Sequence, residues 1–357
     1  MIPILYESSE TDFQYNGLCR LGDCVSCVIT EERNGIFECD FEYPVSGRNF
    51  EKIIPGCIVL AECNKSGDVQ PFDIVSYSKP INGVVSFHAV HISYRQTMLV
   101  ASGTNISSLS AALTMLGNSQ PANPFTYETD KTSTGVMAAA DGIPRTVKTL
   151  IGGVEGSILD AYGGELLWDK FKVKLLAARG VERYFTIRYG LNMMDYKEDT
   201  DYSEAYSAAV PFWKGSEEGV EGDVIVKGSM VDSGLQTYNG RTQCVPLDLS
   251  DKFESKPTAA QLEAMAASYM TSNKANLPTQ SIEVSFVDLR DTLEYKDIAP
   301  LLDFSLCDTV RVEFPMYGMS GQFKIVKTVY NVLAERYDGM ELGALSTTLS
   351  QALGIKK

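Results

Sequence analysis

One stretch of eight residues, 36–43, alternates between two kinds of side chain without a break. Apolar residues occupy every second position after the first: Phe37, Cys39, Phe41 and Tyr43. Acidic residues lie between them: Glu38, Asp40 and Glu42. Because successive side chains of a strand point to opposite faces, this stretch predicts a half-buried strand with an acidic outer face.

The preceding residues supply a partner for that strand. Residues 24–30 are rich in β-branched side chains, which favour strands. Between the two stretches lie residues 31–35, and Asn34-Gly35 offers the positive-φ backbone that a hairpin turn requires. Pro44 lacks an N–H group and ends the second strand. The pattern predicts an antiparallel hairpin, and it indicates no function by itself.

Length and charge limit the class of protein. The chain has 357 residues, enough for two or three domains with cores of their own. Its net charge of −15 argues against a protein that grips nucleic acid by the phosphates. An acidic solubilising surface, or a wall past which DNA slides, stays compatible with it. No apolar run reaches the roughly 18 residues of a membrane helix, and the N-terminus predicts no signal peptide.

Eight cysteines are present, and without a secretory signal we expect reduced thiols. Cys24 and Cys27 match a CxxC pattern, but on one strand they would point to opposite faces, roughly 10 Å apart. No second CxxC exists, and the two histidines are His88 and His91. A zinc or redox site is therefore not expected.

The remaining pattern is one of many short strands and few helices. Strands are predicted at 57–62, 70–78, 84–100, 171–178, 184–189 and 281–288, and a last hairpin at 308–314 and 322–332. Helices are predicted from an N-cap at Ser107 to Gly117, over 258–271 and over 343–353. Residues 120–144 are predicted as mostly loop with one strand, and 195–222 as a region that includes an exposed, mobile loop.

Two of these helices have a defined predicted face. The capping box of Thr258 and Gln261 starts the second helix. Its core-facing residues are predicted to be Leu262, Met265, Ala266, Tyr269 and Met270. The tail helix would place Leu345, Leu349 and Leu353 on one side.

A search for chemistry finds no catalytic constellation. His88 and His91 lie on opposite faces of a regular strand, so they cannot act together. The glycines at 152–164 predict turns rather than a phosphate loop, since no Gly-Lys-Ser/Thr follows and no helix is expected there. The acid pairs are predicted to be solvated charges in turns or loops: Glu31/Glu32, Asp199/Asp201 and Glu217/Glu218. No catalytic, cofactor-binding or metal-binding residue is assigned.

Several blocks resemble a known family. Residues 28–44 look like the signature near the start of tail-associated proteins of siphophages and prophages of Gram-positive bacteria. Further blocks match at 150–160 with Gly163-Gly164-Glu165, at Arg179-Gly180 and 187–192, at 248–253 and at 256–258. The ending matches at 306–310, 328–330, 335–337 and 341–343. The family is also described as the phage minor structural protein N-terminal region, or the prophage endopeptidase tail family.

The resemblance implies a mainly β fold with α+β pieces, like a phage baseplate hub. It implies two small β-barrel-like domains plus two smaller α/β subdomains, with interleaved segments. The expected segments are 1–95 (first barrel), 96–150 (α/β), 151–250 (second β-rich domain), 251–290 (α/β) and 291–357 (returning hairpin and C-terminal helix).

The resemblance also implies a function. Three copies would form a ring at the tail tip that caps the tube, contacts the distal tail protein and the tape-measure protein, and opens for DNA as passing cargo. The chain would be assembled in the bacterial host cytoplasm, without cofactor and without membrane insertion. Lytic activity belongs to C-terminal extensions in this family, so no enzyme activity is transferred to a chain that stops at Lys357.

Two other classes of function stay open at this point. A cell-wall endopeptidase acting within these 357 residues is the first alternative, motivated by the family's name and by the scattered acid pairs. A carbohydrate-binding adhesin is the second, and it would expect clustered exposed aromatic residues. The two tryptophans, Trp168 and Trp213, are far apart in the sequence.

Overall fold

The computed structural model describes residues 1–216, 222–235, 237, 239–253, 255–272, 275–286, 304–317 and 319–344. Within these ranges the chain is mainly β with few helices, which confirms the predicted fold class. Residues 1–197 and the described residues from 282 onward form one compact unit, and 198–281 form a second. The barrel-like closure and the five predicted segments stay predictions.

The elements follow one another in this order. The N-terminal half contains β1 (Ile4–Tyr6), β2 (Cys19–Arg20), β3 (Ser26–Glu32), β4 (Phe37–Pro44), β5 (Ile58–Glu62), β6 (Val69–Ser78), β7 (Val84–His91), β8 (Val100–Ala101), α1 (Leu109–Gly117), β9 (Thr126–Thr129), β10 (Arg145–Thr146), α2 (Val147–Ile151), α3 (Ile158–Tyr162), β11 (Glu165–Asp169) and β12 (Lys172–Leu176). The C-terminal half contains β13 (Glu182–Arg188), β14 (Met193–Asp201), β15 (Ala208–Ser216), β16 (Asp223–Lys227), β17 (Val231–Asp232), β18 (Cys244–Asp248), α4 (Ala259–Ser272), β19 (Thr279–Phe286), β20 (Thr309–Phe314), β21 (Met319–Asn331) and β22 (Arg336–Ala344).

The main sheet of the first unit joins the two ends of the chain. Eight of its thirteen strands lie in the order β21-β3-β4-β7-β6-β5-β1-β2, each antiparallel to its neighbour. The C-terminal strand β21 therefore lies beside the N-terminal hairpin. The last hairpin forms as predicted, since β20 and β21 pair antiparallel.

The opening hairpin forms with the predicted faces. In β4 the odd positions are buried and the even ones face outward. Phe41 stacks on Phe87 of β7 with ring centroids 4.8 Å apart, which anchors the inner face. At the turn Asn34 adopts a φ of +59°, so one residue supplies the left-handed backbone. The first strand starts at Ser26, two residues later than predicted.

Three predictions for the first unit were wrong: the end of one strand, the cap of one helix and the absence of a helix among the glycines. The strand predicted over 84–100 ends at His91, whose side chain accepts the Ser93 N–H and starts a 3₁₀ helix over Ile92–Met98. The cap of α1 is Ser108 rather than Ser107. A short helix, α3, lies between the glycines at 152–156 and those at 163–164. The adjacent residues Ile158 and Leu159 are both buried, which does not fit the alternation of a half-buried strand.

The second unit is a small sheet covered by one helix. Strand β15 is central and pairs with β16, β17 and β18. The capping box forms, with Thr258 N–H donating to Gln261 Oε1 at 2.8 Å. In α4 the fully buried residues are Leu262, Ala266 and Met270. Met265, predicted to face the core, is instead 37% exposed, so the buried side of α4 is narrower than predicted.

The prediction that 195–222 includes an exposed loop is met, among the described residues, by an exposed turn at 202–204, and residues 217–221 lie outside the described part. Residues 193–201 and 208–216 are strands β14 and β15. In β15 Ala209, Pro211 and Trp213 are all buried, so this alternation overrides the surrounding glycines and acids. The helix predicted over 343–353 does not start at 343, because residues 343–344 end strand β22, and Gly318 and the three leucines of that helix lie outside the described residues.

Candidate functional site: a buried charged junction and an acidic sheet face

The turn of the first hairpin is docked onto a distant part of the chain. The Asn34 side chain donates to the Gly164 carbonyl at 2.9 Å and accepts the Leu166 N–H at 2.7 Å. The Arg33 N–H donates to the Val326 carbonyl at 2.8 Å. The turn thus connects β11 and β21, which are more than 130 residues away in sequence.

Beneath this turn lies a buried ion pair. The Arg179 Nη1 atom donates to Glu31 Oε1 at 2.7 Å, and both side chains are nearly inaccessible. The Arg179 N–H also donates to Glu165 Oε2 at 2.8 Å. Burial disfavours the charged guanidinium, but Glu31 raises the pKa of Arg179 above its ordinary value. The guanidinium of Arg179 therefore keeps its charge inside the protein.

Glu165 is the second acid of this junction. It receives a hydrogen bond from Lys324 of β21 and lies 3.4 Å from Arg33 Nη1. Burial alone would favour the protonated acid, yet the hydrogen bonds from Lys324 and from the Arg179 backbone lower the pKa of Glu165. Three cations and two carboxylates are thereby gathered in one place, which we call the charged junction: Glu31, Arg33, Glu165, Arg179 and Lys324.

Next to the charged junction two backbone segments cross closely. A Cβ atom on Gly180 would lie 2.0 Å from the Cys307 carbonyl oxygen, so only glycine allows this approach. The Asp308 carboxylate accepts the Val181 N–H at 2.8 Å and Arg183 Nε at 2.6 Å. Backbone and side-chain bonds together hold this crossing in one arrangement.

The charged junction brings together blocks that carried the family resemblance. The first signature contributes Glu31 and Arg33, the glycine-rich block contributes Glu165, and Arg179-Gly180 meets Cys307-Asp308. The arrangement joins strands that are distant in the sequence through paired charges and close backbone contacts.

The second candidate is the outer face of the sheet. Three cross-strand rows run over β3, β4, β7 and β6 on this face. His88 Nδ1 lies 2.8 Å from Asp40 Oδ1, and the Ser86 hydroxyl donates to Glu42 at 3.3 Å. Together with Ser76 and other neighbours these residues line a shallow depression of about 360 Å³. This acidic sheet face offers carboxylates and hydroxyls to a basic or polar surface.

The two histidines lie on opposite faces, as predicted. His88 belongs to the acidic sheet face, whereas His91 is wholly buried and stacks on Phe37 with centroids 4.5 Å apart. Burial lowers the pKa of His91 well below its ordinary value, and nearby Lys148 adds to this. Its Nε2 lies 3.3 Å from Gln70 Oε1, so a neutral His91 is a packed structural residue.

The predicted acid pairs separate in the structure. Glu31 is buried in the charged junction, so its assignment as a solvated turn charge was wrong, whereas Glu32 pairs with Lys327 at 2.8 Å. Asp199 and Asp201 are exposed on β14. Glu217 and Glu218 lie outside the described residues. The missed signal was periodicity, because Glu31 continues the buried parity of Cys27 and Ile29.

The expected separation of Cys24 and Cys27 was also wrong. Cys24 precedes β3, so strand alternation does not apply to it. Its thiol interacts with that of Cys27, and this interaction raises the pKa of Cys24. Within the described part of the chain, no group of three His, Cys, Asp or Glu side chains could hold a metal ion. No described helix is long and apolar enough to cross a membrane.

Comparison with known proteins places the fold. No protein-family model and no curated protein sequence matches the chain. Among solved structures, the prophage tail protein gp18 from Listeria monocytogenes is similar at 15% identity with a TM-score of 0.62, over 99% of this chain and 97% of that one. A tail protein from Neisseria meningitidis is similar at 13% identity and TM-score 0.58, over 96% of both chains.

A third solved structure agrees with these two. The 43 kDa tail protein of prophage MuSo2 from Shewanella oneidensis is similar at 12% identity and TM-score 0.57, over 96% of this chain and 98% of that one. Identities this low establish the fold rather than the role of single residues. The resemblance to phage tail proteins is confirmed at that level: the chain has the fold of phage and prophage tail proteins.

Proposed function

We propose that this chain is a structural component of a phage or prophage tail tip, where three copies form a hub that caps the tail tube. The observation that carries the proposal is the fold match over nearly the whole length of both chains. The match covers nearly every residue of both chains, so it is not limited to one common motif. It therefore supports a role of the whole chain in a phage tail.

The charged junction supports a structural role for the first unit. It connects β3, β11 and β21 through charges that are shielded from water. Buried, fully paired charges favour one arrangement over alternatives, because any other leaves a charge unpaired in the interior. A ring that withstands ejection of DNA requires such a fixed arrangement of strands.

The proposed position at the tail tip determines which partners we expect. The hub would bind the distal tail protein on one side and the tape-measure protein on the other, and DNA would pass through its centre. The net charge of −15 supports a channel wall that repels DNA and lets it slide. The location is the virion tail tip, after assembly in the host cytoplasm.

We assign the chain no lytic activity of its own. The two histidines have separate structural surroundings, and the buried acids are engaged by arginine and lysine. Incubation of the pure chain with peptidoglycan tests this assignment. We expect no soluble fragments even at high protein concentration, and steady release of peptide or glycan fragments would contradict it.

Light scattering of the purified chain tests the trimer. For the chain alone we expect a species of three times the chain's mass. If the distal tail protein is needed, its complex should contain three copies of the chain, and no even-numbered assembly of the chain is expected. A stable dimer that persists on dilution would contradict the hub. In the second unit Asp223 forms an exposed ion pair with Lys214. The control variant Asp223→Lys reverses that charge and should leave the assembly state unchanged.

A further inference from the structure

Three thiols meet inside the first hairpin. Cys27 on β3 and Cys39 on β4 are both wholly buried, and their Sγ atoms lie 3.7 Å apart. Cys27 is opposite Phe41 and Cys39 is opposite Ile29, so the two cysteines are diagonal neighbours on one face of the sheet. Cys24 lies just before β3 and is only half-buried; its thiol donates to the Ser26 carbonyl at 3.0 Å.

We propose that Cys27 and Cys39 are an oxidisable pair that forms a cross-strand disulfide, and that Cys24 is the thiol through which a disulfide oxidant enters. Side chains of diagonal neighbours on one sheet face are within reach of each other. The two sulfurs are already 3.7 Å apart, so a disulfide, with an S–S length of about 2 Å, requires them to approach by less than about 2 Å. The half-buried Cys24 gives the oxidant a route that the buried pair lacks.

With glutathione disulfide as the oxidant, the exchange proceeds in three steps. The Cys24 thiolate attacks one sulfur, forms a mixed disulfide and releases one glutathione thiolate. The Cys27 thiolate then attacks the Cys24 sulfur and releases the second glutathione, and finally Cys39 attacks the Cys27 sulfur and frees Cys24. Two protein thiols are oxidised to one disulfide, their two protons pass to the released glutathione thiolates, and the glutathione disulfide accepts two electrons and becomes two glutathione thiols.

The surroundings determine the rate. Cys24 loses acidity chiefly through its contact with the Cys27 thiol, and burial adds to this, so its pKa is raised. The pKa of Cys27 is also raised well above its ordinary value. Since the thiolate is the attacking species, we expect slow exchange at neutral pH and faster exchange as the pH rises.

A possible use of this chemistry rests on the proposed function. A tail assembled in a reducing cytoplasm would meet oxidising surroundings after release from the cell. The disulfide would then lock the first hairpin in the released particle. The test below uses the pure chain, so its failure would leave the tail-tip proposal intact, and failure of the tail-tip proposal would leave the thiol chemistry intact.

Trypsin separates the two strands of the hairpin and makes the bond easy to map. Cleavage after Arg20, Arg33 and Arg48 yields one peptide, 21–33, with Cys24 and Cys27, and another, 34–48, with Cys39. The full-length chain is treated with glutathione disulfide, the remaining thiols are alkylated, and the digest is analysed by mass spectrometry. We expect the two peptides joined by a disulfide, and separate peptides after reduction.

Two variants identify the partners and the route. With Cys24→Ser, we expect the same joined peptides but formation slowed by roughly tenfold or more, since the accessible attacking thiol is gone. With Cys39→Ser, no joined peptides should appear. Circular dichroism of each variant should match that of the parent, and Cys244→Ser, which removes the exposed cysteine of the second unit, is the matched control with unchanged kinetics.

Other outcomes would overturn the proposal. A disulfide confined to peptide 21–33 would mean that Cys24 and Cys27 are the stable pair. Joined peptides that still form in Cys27→Ser at the parent's rate would assign the bond to Cys24 and Cys39. Absence of any bond in the folded chain, under conditions that oxidise Cys244, would show that the buried pair is inert. As a second readout, the oxidised chain should unfold a few degrees higher than the reduced one.

Discussion

Each face of the first hairpin carries an acid next to a basic side chain, one buried and one exposed. On the inner side Glu31 is 7% exposed and is held by Arg179 at 2.7 Å. On the outer side the Asp40 side chain is 64% exposed and lies 2.8 Å from His88. Nearly equal distances therefore describe two different interactions. Solvent exposure, rather than the distance between the atoms, decides how much each contact contributes to stability.

The difference has a simple electrostatic cause. In water an exposed pair gains little, because the solvent screens both charges and ordering the side chains costs entropy. A buried pair interacts strongly, but it must first recover the cost of leaving water. Removing one partner therefore has unequal consequences: at the surface the remaining charge is hydrated, and in the interior it is stranded. We expect the charged junction to control the stability of the first unit and the acidic sheet face to affect only its contacts.

The largest predicted effect is at Arg179. Replacement by methionine, Arg179→Met, keeps an unbranched side chain similar to the aliphatic part of arginine but leaves Glu31 buried without its cation. We expect the free energy of unfolding to fall by about 3–5 kcal/mol, as measured by urea denaturation. Glu31→Gln in the same chain should recover part of this loss. Arg336→Met, which removes an exposed partner of Asp338, is the matched control and should change stability by less than about 0.5 kcal/mol.

The next effect is steric. In Gly180→Ala the new methyl group would meet the Cys307 carbonyl, and the crossing beside the charged junction would have to shift. We expect a loss of about 2 kcal/mol, within the range for overpacked interiors. Gly117→Ala at the end of α1 meets no atom within 4 Å and should be neutral or slightly stabilising. Equal stability of the two variants would show that the crossing yields easily.

The third prediction concerns pH. The folded-state pKa of Glu165 is lowered, so its ionisation contributes stability that is fully present above the ordinary pKa of a glutamate. That contribution is lost as the pH falls through the folded pKa, so the loss begins below about pH 4.5. Urea denaturation at a series of pH values measures it. Glu165→Gln should be less stable than the parent at neutral pH, and the gap should narrow in acid; a constant gap would contradict the assigned ionisation.

The smallest effect on stability is expected at the acidic sheet face. Reversal of Glu38, Asp40 and Glu42 to lysine should change the free energy of unfolding by no more than about 1 kcal/mol, since exposed pairs contribute little. An effect of this change on tail assembly or DNA ejection, without loss of stability, would identify the face as a contact surface. Normal assembly and ejection would mean that it faces only solvent.

The sequence predicted local structure better than the charged junction. Alternation in residues 36–43 predicted both faces of β4, and the Thr258 capping box predicted the start of α4, because each depends on neighbouring residues. The charged junction depends on pairs such as Glu31 with Arg179, which are distant in sequence and meet only when β3, β11 and β21 are in place. The alternation along β3 is a signal that Glu31 faces inward, but no local pattern in the sequence identifies Arg179 as its partner.

The cysteines show the same limit at short range. The CxxC spacing was interpreted with strand geometry, which fails when the strand starts two residues later at Ser26. The contact between Cys27 and Cys39 required the register of the hairpin, which the turn sets and the sequence alone left open.

Electron microscopy of purified tails tests the central claim most directly. Tails would be isolated from a strain that carries this chain with an affinity tag, and the label would be located along the tube. We predict three copies in a closed ring at the distal end, with tubes that remain open or fail to assemble when the chain is deleted. Complete, infectious tails without the chain, or a label located away from the tip, would contradict the account.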